Sequence, residues 1–334
     1  AFSDCANLKS VSIPNTITSI GDNAFIGCSG LTSINLPNSI TSIGYGAFSG
    51  CSGLTSVTLP NALTSTGEGL FDYCKGLTSV TLPDGLISIG RYTFNGCSGL
   101  TSITIPHSVT SIGEYAFSNC AKLTSLTFPE SLKSIGDAVF EGCHEISAFY
   151  GKFVTDDHRC VIIDGVLKAF APKGLTSYTF PNSVTTISKA LFSRCKGLES
   201  VTLPETVVKI REWAFVECWG LTSIDIPNSV NEIEHSAFFR CYNLKSVSIG
   251  KGVNEIGGDV FSGCSGLTSI YSYPTNPPTC IESTFSGVPK STCTIFVPRE
   301  SLETYKTTPQ WAEFDNIVGI GKPTVGDTVT VNNI

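Results

Sequence analysis

Apolar positions return in this chain on a fixed beat. Around Leu100 they fall at Leu100, Ile103, Ile105, Val109, Ile112, Ala116 and Phe117, with mostly serine, threonine and other polar residues between. The set recurs at Leu123, Leu126, Phe128, Leu132 and Ile135, 23 residues on, and so along most of the chain. Ile103 and Ile105 alternate with Ser102 and Thr104, which predicts a short strand with one buried face. Pro106 has no N–H and ends that strand. Val109 and Ile112 predict a second short extended run. Gly113 after it predicts a turn conformation closed to other residues. The segment Ala116-Phe117-Ser118-Asn119-Cys120 predicts a short irregular or helical turn that drops Phe117 into the core. A short period held this long predicts a solenoid, in which each coil buries its neighbours.

Cysteines rule the repeat. Cys5, Cys28, Cys51, Cys74, Cys97, Cys120 and Cys143 are 23 residues apart, and the spacing resumes through Cys195, Cys218, Cys241 and Cys264. Spaced cysteines in an exported protein usually signal disulfides. This set is odd in number and shares one column between phenylalanine and leucine slots, so it reads as a buried thiol ladder. Cys28, Cys51, Phe48, Phe117 and Pro106 exemplify the structural columns. Phe25 through Phe261 should stack as one continuous aromatic spine, with rungs about 4.8 Å apart. Twelve rungs give a rod of roughly 55–60 Å. Cys280 and Cys293 lie off the column and are the pair for which a disulfide is expected.

The beat breaks once inside the chain. Cys143 and Cys195 are 52 apart, and residues 149–174 form an irregular insert. Residues 160–170 read as a hairpin with Asp164-Gly165 at its turn. Beyond residue 279 the pattern drifts. The expected organisation is a solenoid over 1–279, a capping region over 280–318, and a tail or linker over 319–334. Within the cap, residues 299–311 look helical, with Leu302 and Tyr305 on one face and Ser301 as the cap.

Composition narrows the function. A net charge of −7 and few charged residues argue against nucleic acid and acidic lipid. No stretch of about 18 apolar residues predicts a membrane span. The chain contains no methionine, and it begins within a repeat, with Phe2 in the slot three before Cys5. A processed or truncated piece of an exported precursor is expected. Its four histidines, His107, His144, His158 and His235, are scattered, and no catalytic or metal-ligand motif occurs. No catalysis, cofactor or metal is expected.

Contact residues are sought where a column departs from its rule. Outward strand positions form lawns of hydroxyls, such as Ser79, Ser102 and Ser125 beside Thr81, Thr104 and Thr127. Such lawns suit a strand face and carry little specificity. Tyr150 and Tyr271 interrupt them. Trp219 and Tyr242 follow repeat cysteines and should sit side by side on adjacent rungs. Trp213, Tyr92 and Tyr115 share a further column. Exposed aromatics are typical anchors for a partner. Glycan binding by Trp219 and Tyr242, or service as a rigid spacer, are the alternatives.

The unit L-x-S-[VI]-x-[LI]-P-x-[ST]-[VIL]-x-x-I-G-x-x-A-F-x-x-C resembles the BspA-like, Treponema pallidum-type leucine-rich repeats over about residues 2–273. The insert around residues 151–167 and the ending Ile295-Phe296-Val297-Pro298…Leu302 look like members from gut Bacteroidetes. The resemblance implies a right-handed, β-rich solenoid of the α/β class, with parallel strand ladders, one irregular hairpin rung and a C-terminal cap. It also implies an exported or surface-attached adhesin. Its partners would be host matrix or plasma proteins, or other bacteria. Lipid anchoring would need a segment absent from this chain.

Overall fold

The structure is a computed structural model and describes residues 2–321. It is a β-solenoid of about 13 turns. Parallel strands need a long crossover between them, and the 23-residue coil supplies one. Strands Ser223–Ile226 and Ser246–Ile249 pair in register, Ser223 opposite Ser246 and Ile224 opposite Val247. They belong to a face ladder that runs from Ser177–Thr179 to Asn316–Ile320 in seven strands. Shorter pieces precede it: Ser56–Thr58 with Ser79–Thr81, and Ser125–Phe128 with Ala148–Gly151. On the opposite side of each coil the isoleucine run makes a back ladder, as in Ser88–Ile89, Ser111–Ile112 and Ser134–Ile135. Proline ends the face strand and starts a turn, with the Val109 N–H returning to the Pro106 carbonyl at 3.1 Å.

A third ladder runs through the turns that carry phenylalanine. Gly46, Phe48 and Gly50 donate N–H bonds to Glu68, Leu70 and Asp72 of the next coil, at 2.9, 3.0 and 2.7 Å. Left-handed residues flank the phenylalanine, Gly46 at φ 57° and Gly50 at φ 73°. The alternation turns successive N–H groups to one side. Tyr92, Tyr115 and Trp213 hold the same left-handed slot as Gly46.

Gly113 corrects its own expectation. Its backbone is not left-handed; a Cβ there would lie 2.6 Å from the Arg91 nitrogen of the coil before. The glycine column lets coils approach closely.

Most repeat cysteines also do more than fill space. Cys97 donates its Sγ–H to the Phe71 carbonyl at 3.1 Å, the same oxygen that accepts the Cys74 N–H at 3.1 Å. Cys51 to Phe25 and Cys241 to Phe215 repeat the contact at 3.2 and 3.0 Å. Both lone pairs of a buried carbonyl are thereby used. Burial pushes the Cys51 thiol up to about 12. Cys5, in the first described coil, is exposed and departs from the buried column.

The aromatic spine is two stacks. Rings from Phe2 to Phe140 lie face to face, with Phe25 and Phe48 at 5.3 Å and Phe117 and Phe140 at 5.8 Å. A second stack runs from Phe192 to Phe285. Between them stands the expected hairpin, Cys160–Ile163 antiparallel to Val166–Phe170, turning at Asp164 and Gly165, both left-handed. Its residues divide between two cores. Val161 and Ala169 pack into the first, whereas Cys160, Leu167 and Phe170 pack into the second. The turn ladder stops here as well: no backbone bond joins the N–H groups of Ala138, Phe140 and Gly142 to the coil at 190–194. Asp137 spans the joint, paired with Lys168 at 2.8 Å and Arg211 at 2.6 Å.

The C-terminal region adds rungs. Thr294–Pro298 and Asn316–Ile320 extend the face ladder, so Gly319 and Ile320 are strand and not tail. Residues 322–334 of the expected tail lie outside the described residues. A short helix, Leu302–Thr307, buries Tyr305, and Ser301 makes no capping bond from its side chain. Trp311 and Phe314 meet Phe285 edge-on and close the second stack. Cys280 and Cys293 are free thiols and not a disulfide. The Cys280 Sγ points to the Pro278 carbonyl at 3.5 Å, while Cys293 is fully buried at the start of its strand.

Candidate binding faces

Two faces of the rod carry departures from the repeat. The first is the face ladder, with its serine and threonine columns outward. Tyr150 is exposed on it, with its ring 4.8 Å from His158. Tyr271 stacks on Phe296 at 4.6 Å, and Val318 follows in register, making an apolar strip on the last rungs. The coil at 101–105 forms no strand and pairs with neither neighbour. A groove of about 690 Å³ opens there, lined by Val80, Ile103, Ile105, Phe128, His107 and Glu130 among others.

The turn face carries the larger aromatic set. Arg91 lies over Tyr92, which stacks on Tyr115 at 5.0 Å. Arg91 also pairs with Glu114 at 3.1 Å. Lys189 lies over the Trp213 ring at 4.5 Å, and pairs with Glu212. Beside Trp213 a cleft of about 260 Å³ opens at the joint, lined by Glu141, Ser193, Arg194 and Glu217 among others. Burial pushes the Glu141 carboxyl up, against the Ser193 hydroxyl that donates to it at 3.1 Å.

Trp219 and Tyr242 stand at the same position of adjacent coils and differ in exposure. The Trp219 indole is met by Lys196 at 4.7 Å, its Nε1 is buried without a partner, and only Tyr242 stands exposed. The ammonium over the Trp219 ring comes from the preceding coil.

Sequence reasoning passed over Tyr45 and Tyr73, the most exposed aromatic side chains among the described residues, at 54% and 52%. The signal was present in the columns. Tyr45 stands between Asp22 and Glu68, and Tyr73 replaces the glycine found at Gly50 and Gly96.

Among the described residues no three histidine, cysteine, aspartate or glutamate side chains gather as metal ligands. No helix among them is long and apolar enough to cross a membrane.

Residues 1–98, 70–152 and 167–290 match the BspA type leucine-rich repeat region, in six copies. Among solved structures, the chain is similar to a leucine-rich cell surface protein of Faecalibacterium prausnitzii, at 25% identity and a TM-score of 0.60. That match covers 86% of this chain and 78% of the other. A leucine-rich repeat protein of Bacteroides ovatus is 25% identical, with a TM-score of 0.55 over 96% of this chain and 80% of its own. The pneumococcal vaccine antigen PcpA shares the fold at 20% identity and a TM-score of 0.67, over 93% and 79% of the two chains. No curated protein matches the chain in sequence.

Proposed function

The chain belongs to the BspA-type leucine-rich repeat family, and from that premise we propose that it is an exported, surface-displayed module that binds proteins and catalyses nothing. The partners we assign to it are host matrix or plasma proteins, or the surfaces of other bacteria. The observation that carries this reading is the placing of aromatic side chains, outward and unburied, on an otherwise uniform rod. Such side chains supply contact area at low entropic cost. Tyr150, Tyr242, Tyr271 and Trp213 are the sequence-chosen candidates, and Tyr45 and Tyr73 join them. The similar cell surface protein of Faecalibacterium prausnitzii supports display outside the cell. Glycan binding through Trp219 is disfavoured, because Lys196 already lies over that ring.

Surface plasmon resonance against a panel of immobilised matrix and plasma proteins tests the reading. Saturable binding to at least one, weakened by an aromatic-to-alanine substitution, is expected. Absence of binding across the panel and to whole bacteria would sink it.

A further inference from the structure

The turn face shows, within the chain, what its aromatic rings accept. Arg91 lies over Tyr92, Lys189 over Trp213, and Lys196 over Trp219. Arg91 is also held by Glu114 at 3.1 Å, with Glu68 farther off at 3.8 Å, and Lys189 by Glu212. Tyr45 and Tyr73 stand in neighbouring columns of the same turns, and among the described residues no such cation lies over either ring. Asp22 and Glu68 occupy the Tyr45 column in the coils before and after, as the bonds from Asn23 N–H to the Tyr45 carbonyl and from Gly46 N–H to the Glu68 carbonyl confirm. The Asp22 carboxylate accepts the Tyr45 N–H at 2.8 Å. Asp72 precedes Tyr73 and accepts from the Asn95 amide at 2.8 Å.

Both rings lie against the rod. A Cβ on Gly96 would come within 2.8–3.3 Å of three Tyr73 ring atoms, and one on Gly69 within 3.8 Å of Tyr45 Cε2. Each glycine therefore seats a tyrosine of the preceding coil, which leaves the other side of the ring to solvent. Tyr73 holds φ at 54°, where a bulky side chain is disfavoured. The turn imposes this conformation on the whole column, as at Gly50 and Gly96, so the ring is seated on one side and half exposed on the other.

We infer that Tyr45 and Tyr73, with Asp22, Glu68 and Asp72, form a docking site for the arginine or lysine side chains of a basic, extended segment in a protein partner. This rests on the protein-binding reading above and names its site and chemistry. The rings offer their faces to the cations and the carboxylates supply the counter-charge, as Arg91 and Glu114 do internally.

The test uses the full chain and a short fluorescent peptide of alternating arginine and glycine. A glutamate–glycine peptide and a neutral cello-oligosaccharide serve as comparisons, at low and at physiological salt. Saturable binding of the arginine peptide alone is expected. Tyr45→Ala and Tyr73→Asn should each weaken it about two- to fivefold with the charge of the protein unchanged. Asparagine suits the left-handed backbone at position 73, so folding is preserved. Tyr45→Phe, which keeps the ring, should bind more tightly than Tyr45→Ala does, and Ile281→Ala, an exposed side chain outside the site, should bind as the parent does. Unchanged binding in the Tyr45→Ala, Tyr73→Asn double variant would overturn the inference, because net charge alone would then account for it. Sugar binding that the double variant abolishes would overturn it too. A panel protein whose binding survives both tyrosine substitutions would remove the site and leave the proposed function standing. Tyrosine-dependent peptide binding with no panel partner would do the reverse.

Discussion

Asp137 and Glu141 are four residues apart beside the joint, and replacing each by its amide should move stability in opposite directions. The Asp137 side chain is 14% exposed and holds Lys168 and Arg211, themselves 18% and 35% exposed. Burial alone would raise its carboxyl, but the two cations outweigh burial and hold it below the ordinary range. Shielded bonds to charged groups contribute about 1.5–3 kcal/mol each, and exposed pairs about 0–1. Partial exposure of both cations places Asp137→Asn between these limits, at a loss of about 2–3 kcal/mol. For Glu141, burial prevails and the carboxyl is raised. Glu141→Gln keeps an acceptor for Ser193 and removes a charge that the site desolvates, so stability should hold or rise by about 1 kcal/mol. The pH dependence follows. A raised carboxyl makes stability grow as pH falls through its folded value toward about 4.3, the ordinary glutamate value. The lowered Asp137 contributes fully above about 3.9, and that contribution is lost as pH falls further, through its folded value. The assay is urea unfolding followed by two probes. Trp213, Trp219 and Trp311 all lie in coils after the joint, so tryptophan fluorescence reports the second unit and circular dichroism reports both. In Asp137→Asn the two transitions should separate, since the joint couples units that are otherwise local. Coincident transitions with a loss under about 0.5 kcal/mol, or a clear destabilisation by Glu141→Gln, would refute the assignment of the joint.

Three further outcomes are expected. In native protein a thiol reagent should modify Cys5 at once and Cys280 slowly, whereas the other twelve of the fourteen cysteines should need unfolding; mass spectrometry of labelled peptides checks this. Phe117→Ala, inside a stack and fully buried, should cost about 3–5 kcal/mol in a urea titration, and Phe140→Ala, at a stack end and only partly buried, should cost less. Gly113→Ala should destabilise through contact with the Arg91 backbone; Gly21→Ala, with nothing within 4 Å of the new Cβ, should be neutral or add about 0.4–1 kcal/mol, as thermal melts would show.

Periodicity made the coil, the strand positions, the hairpin and the cysteine column legible, because each is a repeated local choice. It missed what depends on neighbouring coils. The Gly113 column looks like a turn requirement until the approach of Arg91 is seen. The left-handed slots are shared by glycine, alanine, tyrosine and tryptophan, so residue identity hides them. The spine divides because the hairpin sends alternate residues into two cores, which spacing alone does not announce. Among candidate contacts, Trp219 was lost to Lys196, a pairing of residues 23 apart that a column-by-column reading does not cross. Tyr45 and Tyr73 are visible as exceptions in their own columns, Tyr45 among charged residues and Tyr73 among glycines.

The turn ladder gives the rod a direction. Strand peptides alternate and their dipoles largely cancel. In the turns, Gly46, Phe48 and Gly50 all donate toward later coils, and Tyr92, Phe94 and Gly96 do the same. Their peptide units, about 3.5 D each, therefore add along the axis as they do in an α-helix, but with the negative end at the early coils. The column is cut at the joint, so the positive end of its first half, the N–H groups of Ala138, Phe140 and Gly142, lies beside Asp137 and Glu141. A rod built in this way is an electrical arrow, and ordered arrays of it on a surface would share one polarity.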